Sequence, residues 1–277
     1  MDINAMFGME YNPFRKTRNM KHIETSEFRE VQARLRYLQE NHGFGLISGE
    51  SGRGKTTAVR EWARSLNPAM YKVVYISIST LTSLEFYRKL SEELNCVPAF
   101  RKVDNYRNIQ EAINRYVLEK KITPVIILDE ANYLSNTILN DLKMIFNFEM
   151  DSRERAVVLL VGLPQLNNIL RLSAHEPLRQ RLVMNYHMEG LSIEESKDYI
   201  RIKLKQAGCH EEVFDENALQ AISNGASGIP RMIDNLCSRC LLIAEKREQY
   251  RINTDIAMAA INDSQLGCGT MSRFRTN

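Results

Sequence analysis

Short, almost continuously apolar runs alternate with segments of helical periodicity over the first two thirds of the chain. The apolar runs lie at 44–48, 73–78, 124–128 and 156–161, and a fifth strand is expected at 183–188, just after Arg181 and Leu182. Helical spacing of apolar positions precedes or separates the first four runs, at 26–41, 57–66, 83–95, 105–120 and 135–149. Parallel strands that are covered on both faces are apolar throughout, and strands that alternate with helices build parallel sheets. The pattern therefore predicts an α/β fold with a parallel five-stranded sheet flanked by helices.

The pattern becomes wholly helical after Leu191. The predicted helices lie at 192–207, 215–226, 230–246 and 253–263. Ser192, Asp215 and either Asn253 or Thr254 suit N-cap positions, and Pro230 suits the first turn of its helix. We expect an N-terminal segment at 1–25, an α/β domain at 26–190, a small all-helical lid domain at 191–263 and a disordered tail at 264–277.

Composition limits the function classes only weakly. The 277 residues are 44% hydrophobic and 26% charged, as in ordinary globular proteins, and the net charge of +3 is too small to indicate nucleic acid by itself. Five irregularly spaced cysteines do not suggest a disulfide framework, which favours a reducing cytoplasm. Cys237 and Cys240 fall within an apolar helical pattern and are expected to pack in a core rather than bind zinc. No segment is long enough to span a membrane, so we expect a soluble cytoplasmic protein.

A phosphate-binding loop is the clearest chemical signal. Between the first predicted strand and the next helix lie Gly49, Glu50, Ser51, Gly52, Arg53, Gly54, Lys55 and Thr56, followed by Thr57. This spacing is that of the P-loop, whose backbone N–H groups converge on phosphate oxygens at a helix N-terminus. Lys55 should reach the β- and γ-phosphates of ATP, and the Thr56 hydroxyl should ligate Mg²⁺.

An acidic pair ends the third predicted strand. Asp129 and Glu130 follow the apolar run 124–128. Downstream of a P-loop, such a pair is expected to hold the magnesium ion through Asp129 and to orient the attacking water through Glu130. The sequence therefore predicts an ATP hydrolase.

Further polar residues lie where they could respond to the nucleotide. After the fourth strand, Leu163 occupies a position where a polar residue would be expected near the γ-phosphate. Gln165 could substitute for it, or could be an ordinary loop residue. Arg179 or Arg181 could reach the nucleotide of a neighbouring subunit, with Arg181 slightly favoured. Arg231 could lie between lid and phosphates, or could simply cap a helix.

With these residues assembled, the chain resembles the AAA+ ATPases, and more narrowly their ExeA-like branch. The resemblance spans about residues 6–263 and rests on the phosphate loop, the acidic strand end and several flanking motifs: Phe7 to Phe14, Gly43-Phe44-Gly45, Val161 to Leu166, Gln180-Arg181 and Gly228-Ile229-Pro230-Arg231. The resemblance implies that Arg231 is sensor 2 and that an N-terminal group lies near the adenine: Tyr11, Asn12, Pro13 and Phe14. Leu163 departs from the usual polar residue, so the sensor 1 residue is left open.

The resemblance implies two biological roles. Short ATPases similar to MuB, TnsC and IstB assemble on duplex DNA as rings or helical filaments and direct a transposase, together with a target-selection protein. ExeA-like proteins act in secretion. The length of the chain favours the DNA role, and a cytosolic secretion or envelope-assembly ATPase is the alternative. A replication-initiator-like loader and a non-hydrolysing nucleotide switch also remain open.

A DNA-binding region is implied between residues 80 and 107. Its candidate contacts are Thr82, Arg88, Lys89, Arg101, Lys102 and Arg107. Contacts of this kind would be directed at phosphates, sensitive to salt and low in sequence specificity. The same charges could also form an ordinary solvated helix face.

Overall fold

The computed structural model of the protein describes residues 3–15, 23–148 and 155–265. Most of the tail predicted to be disordered, residues 266–277 with Cys268, lies outside these ranges, as does residue 149 of the predicted helix 135–149. The chain divides into two compact units, one of residues Phe28–Met188 and the other of Met1–Glu27 with Glu189–Asn277.

A parallel sheet forms the centre of the first unit. Its strands are β1 Gly43–Gly49, β2 Tyr71–Ser77, β3 Thr123–Asp129, β4 Val157–Gly162 and β5 Leu182–Met188. The strands lie in the order β2-β3-β4-β1-β5, and every adjacent pair is parallel. The predicted five-stranded parallel sheet is therefore confirmed. The carboxyl ends of β1, β3 and β4 meet at one edge of the sheet, where ligands bind in folds of this kind.

Twelve α-helices are found in the described part of the chain. They are α1 Ile3–Met6, α2 Ser26–Asn41, α3 Lys55–Ser65, α4 Ser83–Glu93, α5 Lys102–Asn114, α6 Asn136–Ile145, α7 Gln165–Arg171, α8 Glu176–Arg179, α9 Ile193–Gln206, α10 Glu216–Ala226, α11 Pro230–Lys246 and α12 Thr254–Gln265. A π-helical turn, Arg115–Glu119, continues α5, and short 3₁₀ turns lie at Ala131–Tyr133 and Ser173–His175. The sequence pattern did not predict α1, α7 and α8, because four to seven residues are too few to show a helical period.

Two apolar layers enclose the sheet. Along β3, Ile126 and Leu128 belong to the layer that α4, α5 and α6 cover, whereas Val125 and Ile127 belong to the layer that α2 and α3 cover. Successive strand residues point to opposite faces, so one apolar run places side chains in both layers. This double burial explains why β1, β3 and β4 are apolar without alternation, whereas the edge strands β2 and β5 are partly exposed.

The second unit has its own apolar core, built from α9 to α12. The predicted caps are present. Ser192 forms a capping box with Glu195, Asp215 accepts the backbone N–H of Ala218, and Asn253 accepts that of Ile256. Pro230 begins α11 as predicted.

The two cysteines of α11 lie in this core, as predicted from their apolar helical spacing. Cys237 and Cys240 are both fully buried. Burial raises the pKa of both thiols, that of Cys240 to about 12. Both side chains are therefore neutral packing groups at physiological pH.

The N-terminal segment packs on the helical unit. Its buried residues Phe7, Met9 and Phe14 join the core of that unit. The backbone N–H of Glu10 donates to the Ala207 carbonyl at 2.8 Å, and the Tyr11 hydroxyl donates to the Gln206 carbonyl at 3.1 Å. The segment is thus tied to the carboxyl end of α9. None of the described helices is long and apolar enough to cross a membrane.

We predict that Gly228→Ala destabilises the helical unit strongly. Gly228 has φ +68°, and a Cβ there would lie 2.2 Å from the carbonyl oxygen of Leu191. The left-handed conformation costs about 1–2 kcal/mol and overpacking costs about 1–3 kcal/mol, so the free energy of unfolding should fall by about 2–5 kcal/mol. Urea titration followed by circular dichroism measures this loss.

Gly8→Ala is the matched control. Gly8 has a similar φ of +62°, but a Cβ there meets nothing within 4 Å. We expect it to cost only the conformational part, about 1–2 kcal/mol. Equal losses at the two positions would show that the close approach to Leu191 does not matter.

Candidate functional site

The phosphate loop joins the carboxyl end of β1 to the first turn of α3. Gly52 and Gly54 have φ values of +87° and +97°, a left-handed region that L side chains rarely adopt. Gly54 is the N-cap of α3, and Lys55 and Thr56 are its first residues. Backbone N–H groups of such a loop, placed at a helix N-terminus, form an anion-binding cradle.

Two side chains of this loop supply cationic donors. The buried Lys55 Nζ donates to the carbonyl oxygens of Gly49 at 2.6 Å and of Glu50 at 2.9 Å, which holds the ammonium across the loop. Arg53 has two buried N–H groups, Nε and Nη1, without an acceptor in the described part of the chain. Unsatisfied buried donors are costly, and an anionic ligand at the loop would satisfy them. The loop therefore fits a polyphosphate.

Thr56 and Asp129 meet at the edge of the sheet. The Thr56 Oγ1 donates to Asp129 Oδ2 at 2.9 Å, and Asp129 Oδ1 accepts the backbone N–H of Glu130 at 2.9 Å. Mg²⁺ binds through hard oxygen ligands and keeps several waters. One hydroxyl and one buried carboxylate beside an anion cradle fit that requirement. The described residues contain no group of three or more His, Cys, Asp or Glu side chains that could hold a metal, so the phosphates and water would have to complete the ligand set.

Tyr75 is a member of this site that sequence reasoning missed. Its hydroxyl donates to Asp129 Oδ2 at 2.9 Å. Burial, followed by the hydrogen bond and negative charge of Asp129, raises the pKa of Tyr75 to about 12, so the hydroxyl stays protonated at neutral pH. Ser77 of β2 pairs with Asp129 of β3, and Tyr75 lies two residues earlier on the same face. The register between β2 and β3 is the signal that would have identified Tyr75 as a neighbour of Asp129.

Glu130 adopts an unusual backbone conformation directly after β3. Its φ of +57° and ψ of +35° are left-handed, which a residue other than glycine adopts at a cost of about 1–3 kcal/mol. The side chain is exposed beside Asp129. Such strain is often found at functional sites. The role of Glu130 in orienting water stays a prediction.

Asn132 supplies a polar group at the carboxyl end of β4. Its Oδ1 accepts the backbone N–H of Leu163 at 3.0 Å. A Cβ on Gly162 would lie 2.9 Å from that oxygen, so only glycine permits the approach. Gln165 is exposed at the start of α7. Asn132 is a second residue that the sequence reasoning missed, although it lies only two positions after Glu130.

A polar cluster around the buried Ser48 supports the carboxyl end of β1. Ser48 Oγ accepts Asn167 Nδ2 at 2.6 Å and lies 3.0 Å from His187 Nδ1. These contacts tie β1 to α7 and β5 immediately before the phosphate loop. They fix the strand end from which the loop departs.

Both candidate trans-acting arginines contact carbonyl groups of their own chain. Arg181 donates to the carbonyls of Lys143 at 2.9 Å and Phe146 at 3.4 Å and is half-buried. Arg179 is exposed and donates to the carbonyl of Arg171 at 2.9 Å. Arg181 thus anchors the end of α6, and Arg179 is the more accessible of the two. Which arginine would act in trans stays open.

The remaining predicted nucleotide contacts lie in the helical unit. Tyr11, Asn12, Pro13 and Phe14 belong to the N-terminal segment, and Arg231 is exposed in the first turn of α11. Phe14 is buried with its ring 6.3 Å from that of Phe214 in an edge-on arrangement. Their roles at the adenine and as sensor 2 stay predictions.

Three of the six predicted DNA contacts are already engaged within the chain. Thr82 is the N-cap of α4. Lys89 pairs with Glu92 at 3.5 Å and with Glu93 at 3.0 Å, and Lys102 pairs with Asp141 at 2.6 Å. The charge of the two lysines is therefore partly neutralised before any ligand binds.

The three arginines of the same region are different. Arg88, Arg101 and Arg107 are exposed and form no ion pair with any described residue. The buried Asn105 accepts the backbone N–H of Ala99 and donates to the carbonyls of Ala99 and Arg101, each at 2.9 Å. Arg101 is therefore presented from a fixed backbone. Among the predicted contacts, these arginines are the cations without an ion pair to a described residue.

Comparison with known proteins finds an AAA domain and two relatives whose names describe different roles. A family described as "AAA domain" matches residues 38–170. General secretion pathway protein A of Aeromonas hydrophila is 32% identical over 260 residues, which are 92% of this chain and 47% of that protein. The ATP-dependent target DNA activator B of Escherichia phage Mu is 25% identical over 123 residues, 44% of this chain and 37% of that protein.

A solved structure supports the fold. The crystal structure of Cdc6p from Pyrobaculum aerophilum matches with a TM-score of 0.62 at 17% identity, covering 90% of this chain and 68% of the other. At that identity the likeness concerns the fold alone. The chain spans less than half the length of the two curated relatives named above.

We predict that Lys55→Ala lowers nucleotide affinity at least about 100-fold. A charge-assisted hydrogen bond contributes about 1.5–3 kcal/mol, and the ammonium can make more than one to a polyphosphate. Equilibrium binding of a fluorescent ATP analogue measures the change. Lys205→Ala, which removes an exposed lysine of α9, is the control and should bind like the wild type. Retained affinity in Lys55→Ala would refute the assignment of the phosphate loop.

Proposed function

This chain is an AAA+ P-loop protein that resembles the ExeA-like branch, and on that premise we propose that it is an ATP hydrolase that assembles on duplex DNA. ATP and Mg²⁺ are its cofactors in this proposal. The assembly, a homo-oligomeric ring or helical filament in the cytoplasm, regulates transposition by recruiting or activating a transposase, together with a target-selection protein.

The hydrogen bond between Thr56 and Asp129 carries the proposal for the enzyme. It joins the first turn of the phosphate-loop helix to the acidic end of β3 at 2.9 Å. A metal ion held there would lie beside phosphates bound by the loop, where it neutralises charge that develops during phosphoryl transfer. Lys55 would bind phosphate oxygens, and Glu130 would orient the attacking water.

Two observations support DNA as the partner. A relative with a matching segment is named as an activator of target DNA. In addition, Arg88, Arg101 and Arg107 are exposed and form no ion pair with a described acidic residue. Arginines of this kind bind phosphate well, because they are always charged and present several donors. Binding would track the backbone, with little sequence specificity.

Secretion is the second candidate function. The relative that matches 92% of this chain at 32% identity is named as a general secretion pathway protein. In this alternative the protein is a cytosolic secretion or envelope-assembly ATPase that does not bind DNA. The two candidate functions share the hydrolysis of ATP and differ in whether the protein binds duplex DNA.

Two measurements distinguish the two functions. One is ATP turnover with and without duplex DNA, and the other is electron microscopy of the assemblies. The DNA role predicts ATP-dependent particles on duplex DNA that dissociate at high salt. If ATP is hydrolysed and no DNA is retained at low salt, the secretion role is favoured. A transposase gene beside the gene for this chain would support the DNA role.

We predict that Glu130→Gln lowers ATP turnover about 100-fold or more while nucleotide affinity changes little. A positioned general base contributes about 10²- to 10⁴-fold, and the amide cannot accept a proton. Phosphate release measures turnover, and the variant should accumulate the ATP-bound assembly. Glu119→Gln, at the end of the π-helical turn, is the control. Normal turnover in Glu130→Gln would assign the water-activating role to another residue.

We predict that Arg88→Ala weakens DNA binding more than Lys89→Ala does. Both residues lie on α4, but the ammonium of Lys89 is already paired with Glu92 and Glu93. Loss of one phosphate contact should reduce the slope of log K against log salt by about 1, equally for unrelated sequences. Fluorescence anisotropy over a salt series measures the slope. Equal and negligible effects would place the DNA site elsewhere.

A further inference from the structure

We propose that Tyr75 is a positioning residue of the magnesium site, which holds the Asp129 carboxylate in the orientation that the metal and its water shell require. The inference rests on the proposed nucleotide site and extends it to a residue of the edge strand β2. It concerns the donor that fixes the metal carboxylate, and not a group that touches the nucleotide.

The first argument is the set of donors around Asp129. Oδ2 accepts two O–H groups, from Thr56 and from Tyr75, each at 2.9 Å. Oδ1 accepts the N–H of Glu130 at 2.9 Å. Thr56 belongs to the phosphate loop, and Glu130 is the next residue along the chain. Tyr75 is therefore the donor that reaches Asp129 from a neighbouring strand.

The second argument is that Thr56 cannot be a constant hydrogen-bond donor to Asp129. Its hydroxyl oxygen is also the predicted metal ligand, so its geometry must adjust to the ion. A donor that makes no contact with metal or phosphate can hold the carboxylate in one orientation throughout the cycle. Hydrogen-bond partners of metal ligands act in this way, and their removal typically lowers metal affinity 10- to 100-fold.

The third argument is the position of the side chain. Tyr75 lies on the same face of the sheet as Asp129, two residues before the strand partner Ser77. A long aromatic side chain can span such a diagonal. Its residue exposure of 46% shows that the ring is not required to fill the core. The hydroxyl, and not the apolar area, then accounts for the contact.

A purely structural role would have different consequences. If Tyr75 only supported β2, removal of its hydroxyl would change stability and leave the magnesium dependence unaltered. If it positions Asp129, the dependence on magnesium changes while nucleotide binding without metal does not. The metal titration therefore distinguishes the two roles.

The test compares Tyr75→Phe with wild type by titrating Mg²⁺ in the presence of a fluorescent ATP analogue. We expect the Mg²⁺ concentration that gives half of the metal-induced gain in nucleotide affinity to rise about tenfold. Affinity measured in EDTA should stay unchanged. Thermal unfolding followed by circular dichroism checks that the variant is folded.

Two controls sharpen the experiment. Tyr71→Phe removes a hydroxyl from the same strand that makes no contact with Asp129 and should leave the magnesium dependence as in wild type. In an Asp129→Asn background, Tyr75→Phe should have no further effect, because the carboxylate that it positions is gone.

Failure of this inference can be told from failure of the proposed function. If wild type binds no nucleotide with or without Mg²⁺, the proposed function fails. If wild type binds in a magnesium-dependent way and Tyr75→Phe shows the same dependence, the assignment of Tyr75 is overturned. An additive effect of Tyr75→Phe in the Asp129→Asn background would also overturn it.

Discussion

The contact between Thr56 Oγ1 and Asp129 Oδ2 is the interaction on which the candidate site depends. It joins two segments that are 73 residues apart and that enter the sheet on strands separated by β4. Asp129 is almost fully buried, so its negative charge needs hydrogen-bond donors in the protein. Thr56, Tyr75 and the N–H of Glu130 provide them. The charge that would hold a cation also draws three parts of the chain together.

The geometry of this contact is set by the packing of the sheet. Apolar residues of β3 feed two layers of core, which leaves the strand little freedom to slide or rotate. The end of β1 is fixed by Ser48 with Asn167 and His187. Because both strand ends are rigid, a short hydroxyl side chain and a short carboxylate can stay within hydrogen-bond distance. Pre-organisation of this kind is what a site for phosphoryl transfer needs.

In the region of α4 and α5, ion pairs within the chain determine which charged side chains are available to a ligand. Lys89 and Lys102 are paired with carboxylates, whereas Arg88, Arg101 and Arg107 have no acidic partner in the described part of the chain. A charge count treats all five alike. Paired lysines must break an existing contact before they bind phosphate, so the arginines contribute most of the available potential. Tyr75 lines the same groove as Arg88 and also contacts Asp129, so it lies between this surface and the candidate metal site.

The sequence by itself determined the sheet and the helical unit, and it predicted the central residues of the candidate site. Continuous apolar runs identify buried strands, and the spacing around Lys55 and Thr56 is specific because few sequences satisfy a phosphate loop by chance. The acidic pair at residues 129 and 130 was predictable for the same reason, since it ends an apolar run. These features are local, and local patterns can be read from one chain.

Only the tertiary structure decided which side chains complete the site. Tyr75 is tied to Asp129 by strand register, Asn132 meets Leu163 because Gly162 leaves room for it, and Arg181 is held by carbonyls of α6. The packing of Phe14 on the helical unit is of the same kind. Each depends on residues that are far apart in the chain, or on the space left by a missing side chain. A sequence pattern records neither distance nor free volume, and so these contacts could not be derived from it.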